Sequence, residues 1–283
     1  MPANFAIGLT RHIRVNVAAA LDEDLGGGDL TAQLIPEHVQ AQATVITRQH
    51  MVQCGTLWFE ACFRALDKNC DIRWLLREGE MAEANQTLCE IRGEARALLT
   101  AERAALNFLQ TLSATATATR RYVDAVAGTR TKIMDTRKTL PGLRMAQKYA
   151  VTIGGGYNQR IGLFDGILIK ENHILTAGGI RPALESAYRL APPEATIQIE
   201  IESLDELREA LDAGAKLILL DNFRLDDMRT AVHLNAGRAE LEASGGVTIQ
   251  TVRAIAETGV DRISIGGLTK DVQAIDLSMR FGI

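Results

Sequence analysis

The sequence predicts an α/β fold in two parts: a parallel sheet of strand–helix units in the C-terminal half, and a smaller antiparallel sheet with helices ahead of it. Three observations lead there. Short strands rich in Ile, Leu and Val recur every twenty to thirty residues from position 166 onward, with helical patterns between them. Each ends in charged, polar or glycine residues, which is what the active face of an α/β barrel requires. No G-x-G-x-x-G follows a first strand, so the dinucleotide-binding form of a parallel sheet has no support.

Taken in order, the pattern over 15–24 reads as a helix, and Val45-Ile46-Thr47 and Ile72-Arg73-Trp74-Leu75 as strands of the small sheet. Residues 95–126 read as one long helix whose stripe of Leu98, Ala101, Ala105, Phe108 or Leu109, and Leu112 faces a core. Arg103 lies off that stripe and, on these grounds alone, is a surface residue. The parallel strands follow at 132–134, 166–169, 196–201, 217–220, 239–243 and 262–265, with helices at 204–213 (N-cap Ser203, Gly214 at its end) and 225–234. Their C-terminal ends read Asp135-Thr136-Arg137-Lys138, Lys170-Glu171-Asn172, Glu200 with Glu202, Asp221-Asn222, Ser244-Gly245-Gly246 and Gly266-Gly267. Polar loops account for one or two such ends. Charges set directly on apolar strands, costly when unpaired, point to one shared site.

Charge distribution says what that site binds. The chain has net charge -4, yet residues 130–181 carry nine Lys or Arg against three Asp or Glu, a local excess of +6. Within that stretch lie Arg137, Lys138, Arg144, Lys148, Arg160, Lys170 and the run Gly154–Gly156. Such an excess suits a small molecule bearing several negative charges. A nucleic-acid binder would be basic overall with interleaved aromatics, and aromatics make up only 5% of this chain. The four cysteines, Cys54, Cys62, Cys70 and Cys89, form no C-x-x-C pair and read as buried reduced thiols. Arg11 and Arg14 interrupt any early apolar run, no segment has membrane-spanning length, and a cytoplasmic protein is expected.

Arg137 and Arg160 can each present a planar fork to a carboxylate; Lys138 and Lys170 supply point charges for phosphate or carboxylate. Glu200 and Asp221 can serve sugar hydroxyls, Mg²⁺ through water, or positive charge developing on a sugar carbon, or simply pair with the lysines. The two glycine-bearing strand ends suit a phosphate. His12, His38, His50 and His233 are scattered; His173 neighbours the site but has no Ser or Cys partner, so acyl transfer is disfavoured.

Six motifs, EDLGGGDLT (23–31), LTAERAALNFLQTLS (99–113), DTRKTLPGLR (135–144), KYAVTIGGGYNQRIGLFDGILIKENHI (148–174), LLDNF (219–223) and EASGG (242–246), resemble in content and order the quinolinate phosphoribosyltransferases. The resemblance implies the type II phosphoribosyltransferase architecture: an N-terminal α/β sandwich over 1–113, joined by segment 271–283, and a parallel α/β barrel over 114–270. It also implies conversion of quinolinate and phosphoribosyl pyrophosphate to nicotinate mononucleotide, pyrophosphate and CO₂ with Mg²⁺, in NAD biosynthesis, by a homodimer with shared sites. Carried over residue by residue, Arg103 reaches the partner's quinolinate. Arg137 and Arg160 bind its carboxylates, with Thr136 and Gln159 in the same pocket. Lys138, Lys170, Glu200 and Asp221 carry the chemistry, the two acids facing ribose and metal. Ser244, Gly245, Gly246, Gly266 and Gly267 take the 5′-phosphate. Two positions depart from the family pattern. Gln159 stands where His is more usual, keeping a hydrogen bond but not a cation, and Ala114-Thr115 replaces Gly-Ile/Val, with a consequence expected for how the Arg103 helix ends. The rival readings are a paralogue acting on another acid, a phosphate-binding barrel with lyase or isomerase chemistry, and a non-catalytic metabolite-binding protein.

Overall fold

A computed structural model of the protein describes residues 3–282; of residues 3–7 only the helical backbone is described. Positions 1, 2 and 283 of the expected domain ranges lie outside the described residues. In chain order the elements are α1 (Ala3–Leu25), β1 (Gln40–Thr47), β2 (Met51–Val52), α2 (Thr56–Leu66), β3 (Asp71–Trp74), β4 (Met81–Ala82), β5 (Thr87–Glu94) and α3 (Ala95–Ala125). They continue as β6 (Lys132–Met134), α4 (Arg144–Ile153), β7 (Gly166–Ile169), α5 (Glu171–Ala177), α6 (Ile180–Leu190), β8 (Thr196–Ile201) and α7 (Leu204–Asp212). The chain closes with β9 (Leu217–Asp221), α8 (Leu225–Asn235), β10 (Glu240–Ser244), α9 (Val252–Ala256), β11 (Arg262–Ser264), α10 (Gly267–Lys270) and β12 (Leu277–Gly282).

Two compact units result. The first comprises Met1–Arg120, Thr139–Gly155 and Thr269–Ile283; the second comprises Arg121–Lys138 and Gly156–Leu268. The first holds an antiparallel sheet of order β12-β1-β5-β3, in which the C-terminal strand returns to pair with β1. Its core joins Trp58, Phe59 and Phe63 of α2 to the buried stripe of α3, Leu98, Ala101, Ala105, Leu109 and Leu112. The four cysteines are all buried and unoxidised, and burial pushes the Cys62 thiol up to about 12.

These units differ from the expected cut at residue 113 in two places, for one reason. α3 runs unbroken to Ala125, and Ala114-Thr115 sits buried in mid-helix, where the Thr115 hydroxyl bonds the Thr111 carbonyl; the helix does not end there. Segment 139–155 belongs to the first unit because α4 inserts Ala146, Tyr149 and Ala150 into that unit's apolar core. Burial decides membership, and neighbours in sequence do not.

The second unit is a six-stranded, all-parallel sheet of order β6-β11-β10-β9-β8-β7. Side chains alternate with period two, so residues of one parity share the inner face. Leu168, Gln198, Glu200, Leu219, Glu242, Ser244 and Ser264 form that set, and all line one cavity of about 180 Å³. A flat sheet cannot place residues of β7 and β11 around one cavity; the sheet is curled into a barrel. Between its ends lies segment 157–160, where Tyr157 bridges Met134 of β6 and the Arg160 guanidinium donates to Gly166 O of β7 at 2.9 Å.

Candidate active site

The cavity opens at the carboxyl ends of the strands, where Thr136, Arg137 and Lys138 follow β6, Lys170 follows β7, Glu200 sits near the end of β8 and Ser244 ends β10. Gln159 and Arg160 enter from the segment between β6 and β7. What holds that segment is Asp135, a carboxylate with no exposed surface: it accepts from Gln159 N at 2.8 Å and from Asn158 Nδ2 at 2.6 Å. Backbone bonds between Asp135 and Tyr157 and between Tyr157 and Ile133 complete the attachment. Charge-assisted bonds of this kind contribute about 1.5–3 kcal/mol each, enough to fix where Gln159 and Arg160 stand.

Four of the six basic residues singled out in the basic stretch, Arg137, Lys138, Arg160 and Lys170, meet at this cavity. Arg144 and Lys148 do not: both ride on α4 in the first unit, Lys148 fully buried and Arg144 Nε donating to the Thr139 hydroxyl. The +6 excess therefore overstates the site's charge. Burial, reinforced by the Arg137 guanidinium, pulls Arg160 below the ordinary guanidinium value, with Asp165 opposing. Two guanidinium groups close together in a half-buried cleft favour the binding of an anion.

Glu200 and Lys170 form an ion pair, with Nζ 2.8 Å from Oε2 and 3.1 Å from Oε1. Asp221 has its carboxyl pushed upward by burial and by the Glu200 charge, while Lys170, Lys138 and Asn222 pull it down. Lys170 is fixed from behind, since its backbone N–H donates to His173 Nδ1 at 3.0 Å; that is the part His173 plays. Glu202, set at the same strand end as Glu200, does not join it. It lies beyond the end of β8, exposed, where Glu171, Glu206, Asp221 and Glu200 raise its carboxyl, and it does not line the cavity.

The glycine-bearing strand ends are tight. Gly245 adopts φ +102°, and a Cβ there would overlap the Asn222 side chain, whose backbone N–H donates to Ser244 O at 2.9 Å. Gly246 is also left-handed, at φ +56°, and a Cβ on Gly266 would stand 3.0 Å from Lys138 Cδ. Glycine at these positions keeps open backbone next to the pocket. Arg103 is not among the cavity's residues. It lies in the first unit on α3, more than half exposed, on a separate concavity of about 370 Å³ with Asn16, Asn107 and Thr111.

The strand ends alone do not reveal the barrel floor. Glu242 is entirely buried and accepts from the Gln159 side-chain amide, and Ser264 also bonds it. Burial raises its carboxyl, and those bonds together with the Arg262 charge counter the rise. The signal was present in the alternation of β10, which places Glu242 two residues before Ser244 on the same face. Among the described residues no cluster of three or more His, Cys, Asp or Glu is arranged to hold a metal ion, and no helix is long and apolar enough to cross a membrane.

The model of the quinolinate phosphoribosyl transferase N-terminal domain matches residues 29–113, and that of the C-terminal domain matches residues 115–280. The chain is 42% identical over 257 residues to a probable nicotinate-nucleotide pyrophosphorylase [carboxylating] of Bacillus subtilis, covering 91% of this chain and 89% of that one. It is 39% identical to the nicotinate-nucleotide pyrophosphorylase [carboxylating] of Mycobacterium leprae, over 94% of this chain and 96% of that one. The solved nicotinate-nucleotide pyrophosphorylase of Francisella tularensis superposes with a TM-score of 0.93 at 45% identity, covering 96% of each chain. With an anion-demanding barrel mouth, family models spanning both units and relatives matched nearly end to end, the chain belongs to the quinolinate phosphoribosyl transferase family.

Proposed function

We propose that this barrel mouth transfers the phosphoribosyl group of phosphoribosyl pyrophosphate to quinolinate, with loss of CO₂, giving nicotinate mononucleotide and pyrophosphate for NAD biosynthesis. The observation that carries the reading is the convergence of Arg137, Arg160, Lys138, Lys170 and Glu200 on one cavity of about 180 Å³, with Asp221 outside its lining but within reach of the Glu200, Lys170 and Lys138 charges. Arg137 and Arg160 seat the two carboxylates of the pyridine ring, because a planar fork matches a carboxylate with two parallel bonds. Lys138 and Lys170 meet the pyrophosphate, and the Ser244–Gly246 and Gly266-Gly267 backbone takes the 5′-phosphate.

Orientation does most of the work in such a site. The ring nitrogen attacks the anomeric carbon as the bond to pyrophosphate breaks, through an oxocarbenium-like state whose positive charge Glu200 and Asp221 stabilise. Lys170, paired to Glu200 at 2.8 Å, neutralises the leaving pyrophosphate. The adduct carries a positive ring nitrogen, whose charge stabilises the electron pair left on the adjacent ring carbon as its carboxylate departs as CO₂; that carbon then uses the pair to take a proton from water. Few titrating groups are needed.

Mg²⁺ fits as an ion that arrives with the polyphosphate. Burial and the Glu200 charge raise the Asp221 carboxyl, so Glu200 and Asp221 would hold the ion and have their charge offset by it, though two carboxylates are too few to do so without substrate oxygens. In this reading the protein is a homodimer with shared sites, and Arg103, exposed on α3, serves the barrel mouth of the second copy. The test is release of pyrophosphate and CO₂ from phosphoribosyl pyrophosphate and Mg²⁺, with quinolinate and nicotinate offered separately. Both products with quinolinate alone support the reading; turnover of nicotinate, or neither product, sinks it.

A further inference from the structure

Asp221 closes β9 and Ser244 closes β10, side by side in register, and a side chain with no part in the mechanism above joins them. That side chain belongs to Asn222. Its amide nitrogen donates to Asp221 Oδ2 at 2.8 Å. Its backbone N–H donates to Ser244 O at 2.9 Å, and its amide oxygen stands in the space that a side chain on Gly245 would fill. An ionised carboxylate only accepts, so the amide has its nitrogen toward Asp221 and its oxygen toward Gly245. The backbone at Asn222 is left-handed, at φ +54°, a conformation that Asn adopts more readily than most residues with a side chain. Gly245, lacking a Cβ, leaves the room. Two strand ends are thereby tied through one amide.

We propose that Asn222 is a positioning residue that fixes the Asp221 carboxylate relative to the Ser244–Gly246 loop, and so sets the spacing between the ribose end and the phosphate end of a bound phosphoribosyl group. The inference rests on the phosphoribosyl-transfer reading above. Ribose hydroxyls and 5′-phosphate are two ends of one ligand, and both are held only if carboxylate and loop keep one spacing. Lys170 and Lys138 both attract Asp221, and the bond from Asn222 holds the carboxylate against that pull. The spacing bears on rate, because a displaced ribose carries its anomeric carbon away from the attacking ring nitrogen. Asn222 is open to solvent, and water replaces part of a lost bond, so the expected effect is moderate.

The test is steady-state kinetics of the intact protein with quinolinate, phosphoribosyl pyrophosphate and Mg²⁺, for the parent, Asn222→Gly and Asn222→Asp. A parent that releases neither product sinks the transfer reading and this inference with it; against an active parent, the variants judge the inference alone. Glycine keeps the left-handed turn and removes only the amide, whereas aspartate keeps the size and replaces the donor with an acceptor. In Asn222→Gly, kcat/KM for phosphoribosyl pyrophosphate should fall about threefold or more while KM for quinolinate holds within about twofold. A smaller loss, or a rise in KM for quinolinate, overturns the proposal.

Asn222→Asp adds a readout that a purely structural turn would not move. Two adjacent carboxylates hold a proton at higher pH than either alone, and the protonated carboxyl donates to its neighbour as the amide did. The ratio of variant to parent kcat/KM should therefore rise about threefold or more from about pH 8 to about pH 6. Taking the ratio cancels the titration of the groups that also face Asp221, namely Glu200, Lys170 and Lys138. A ratio that stays flat overturns the proposal. Either variant decides by itself if the other fails to fold.

Discussion

The two units of this protein have opposite interiors. The first is filled with Trp58, Phe59, Phe63 and the leucines of α3, and the polar groups it buries are tied down: the Ser113 hydroxyl bonds both Cys54 N and Cys54 O at 3.0 Å, and Thr117 accepts from Val52 N. Glu78 caps the start of α2 by accepting from Gly55 N, Thr56 and the Tyr149 hydroxyl. The second unit lines the inside of its barrel with Glu200, Gln198, Glu242 and Ser264, and its mouth with four cations. An apolar interior gains about 25 cal/mol for each Å² removed from water, whereas buried charges cost free energy unless paired. The first interior is built for stability and the second for binding, and substitutions should sort accordingly.

The largest separation is expected at Trp58, fully buried in the first unit. Trp58→Ala should lower the unfolding free energy by about 3–5 kcal/mol in urea titrations. Activity per folded molecule should survive; loss of turnover at unchanged stability would break the division. Glu200→Ala is the mirror case. Turnover should fall by about 10²–10³ with little change in quinolinate affinity, since the carboxylate acts on charge that develops only in the transition state. A rise in KM at constant kcat would make Glu200 merely the counter-ion of Lys170.

Mixing inactive Arg103→Ala with inactive Lys138→Ala sharpens the comparison, for it asks whether a residue of the apolar unit serves a second copy's barrel. Random reassembly of a two-fold dimer with shared sites should restore about a quarter of the parent activity. Hybrids that form and stay silent would place Arg103 outside the site. The smallest effect concerns pH. The Glu242 carboxyl is raised in the folded state from 4.5, so the fold binds its proton more tightly than the unfolded chain does. Its contribution to stability is present below pH 4.5 and is lost as pH rises through the raised folded value. Glu242→Gln should lose less stability than the parent across that window, and parallel curves in urea titrations from pH 4 to 8 would show that the floor carboxyl does not titrate there.

Much of this was legible beforehand. Strand–helix alternation gave the parallel sheet, the stripe of α3 gave one face of the first core, and polar strand ends gave Lys138, Lys170, Glu200 and Ser244 as neighbours. Those features are local and periodic, so the order of residues carries them. What failed was whatever depended on a distant partner. Arg144 and Lys148 lie in the same basic stretch as Arg137 and Arg160, but Ala146, Tyr149 and Ala150 draw their helix into the other core. Glu242 stands in the EASGG motif with no role of its own, and only curling of the sheet brings Gln159 over it.

The sequence by itself determined the fold class, the family and the identity of the cations, because periodicity and motif are properties of neighbours along the chain. Tertiary structure alone decided which cations converge, which carboxylate anchors segment 157–160, and which end of the Gln159 amide is held. Each of those depends on burial and on acceptors brought from other strands, and a buried charge takes its meaning from the groups that face it.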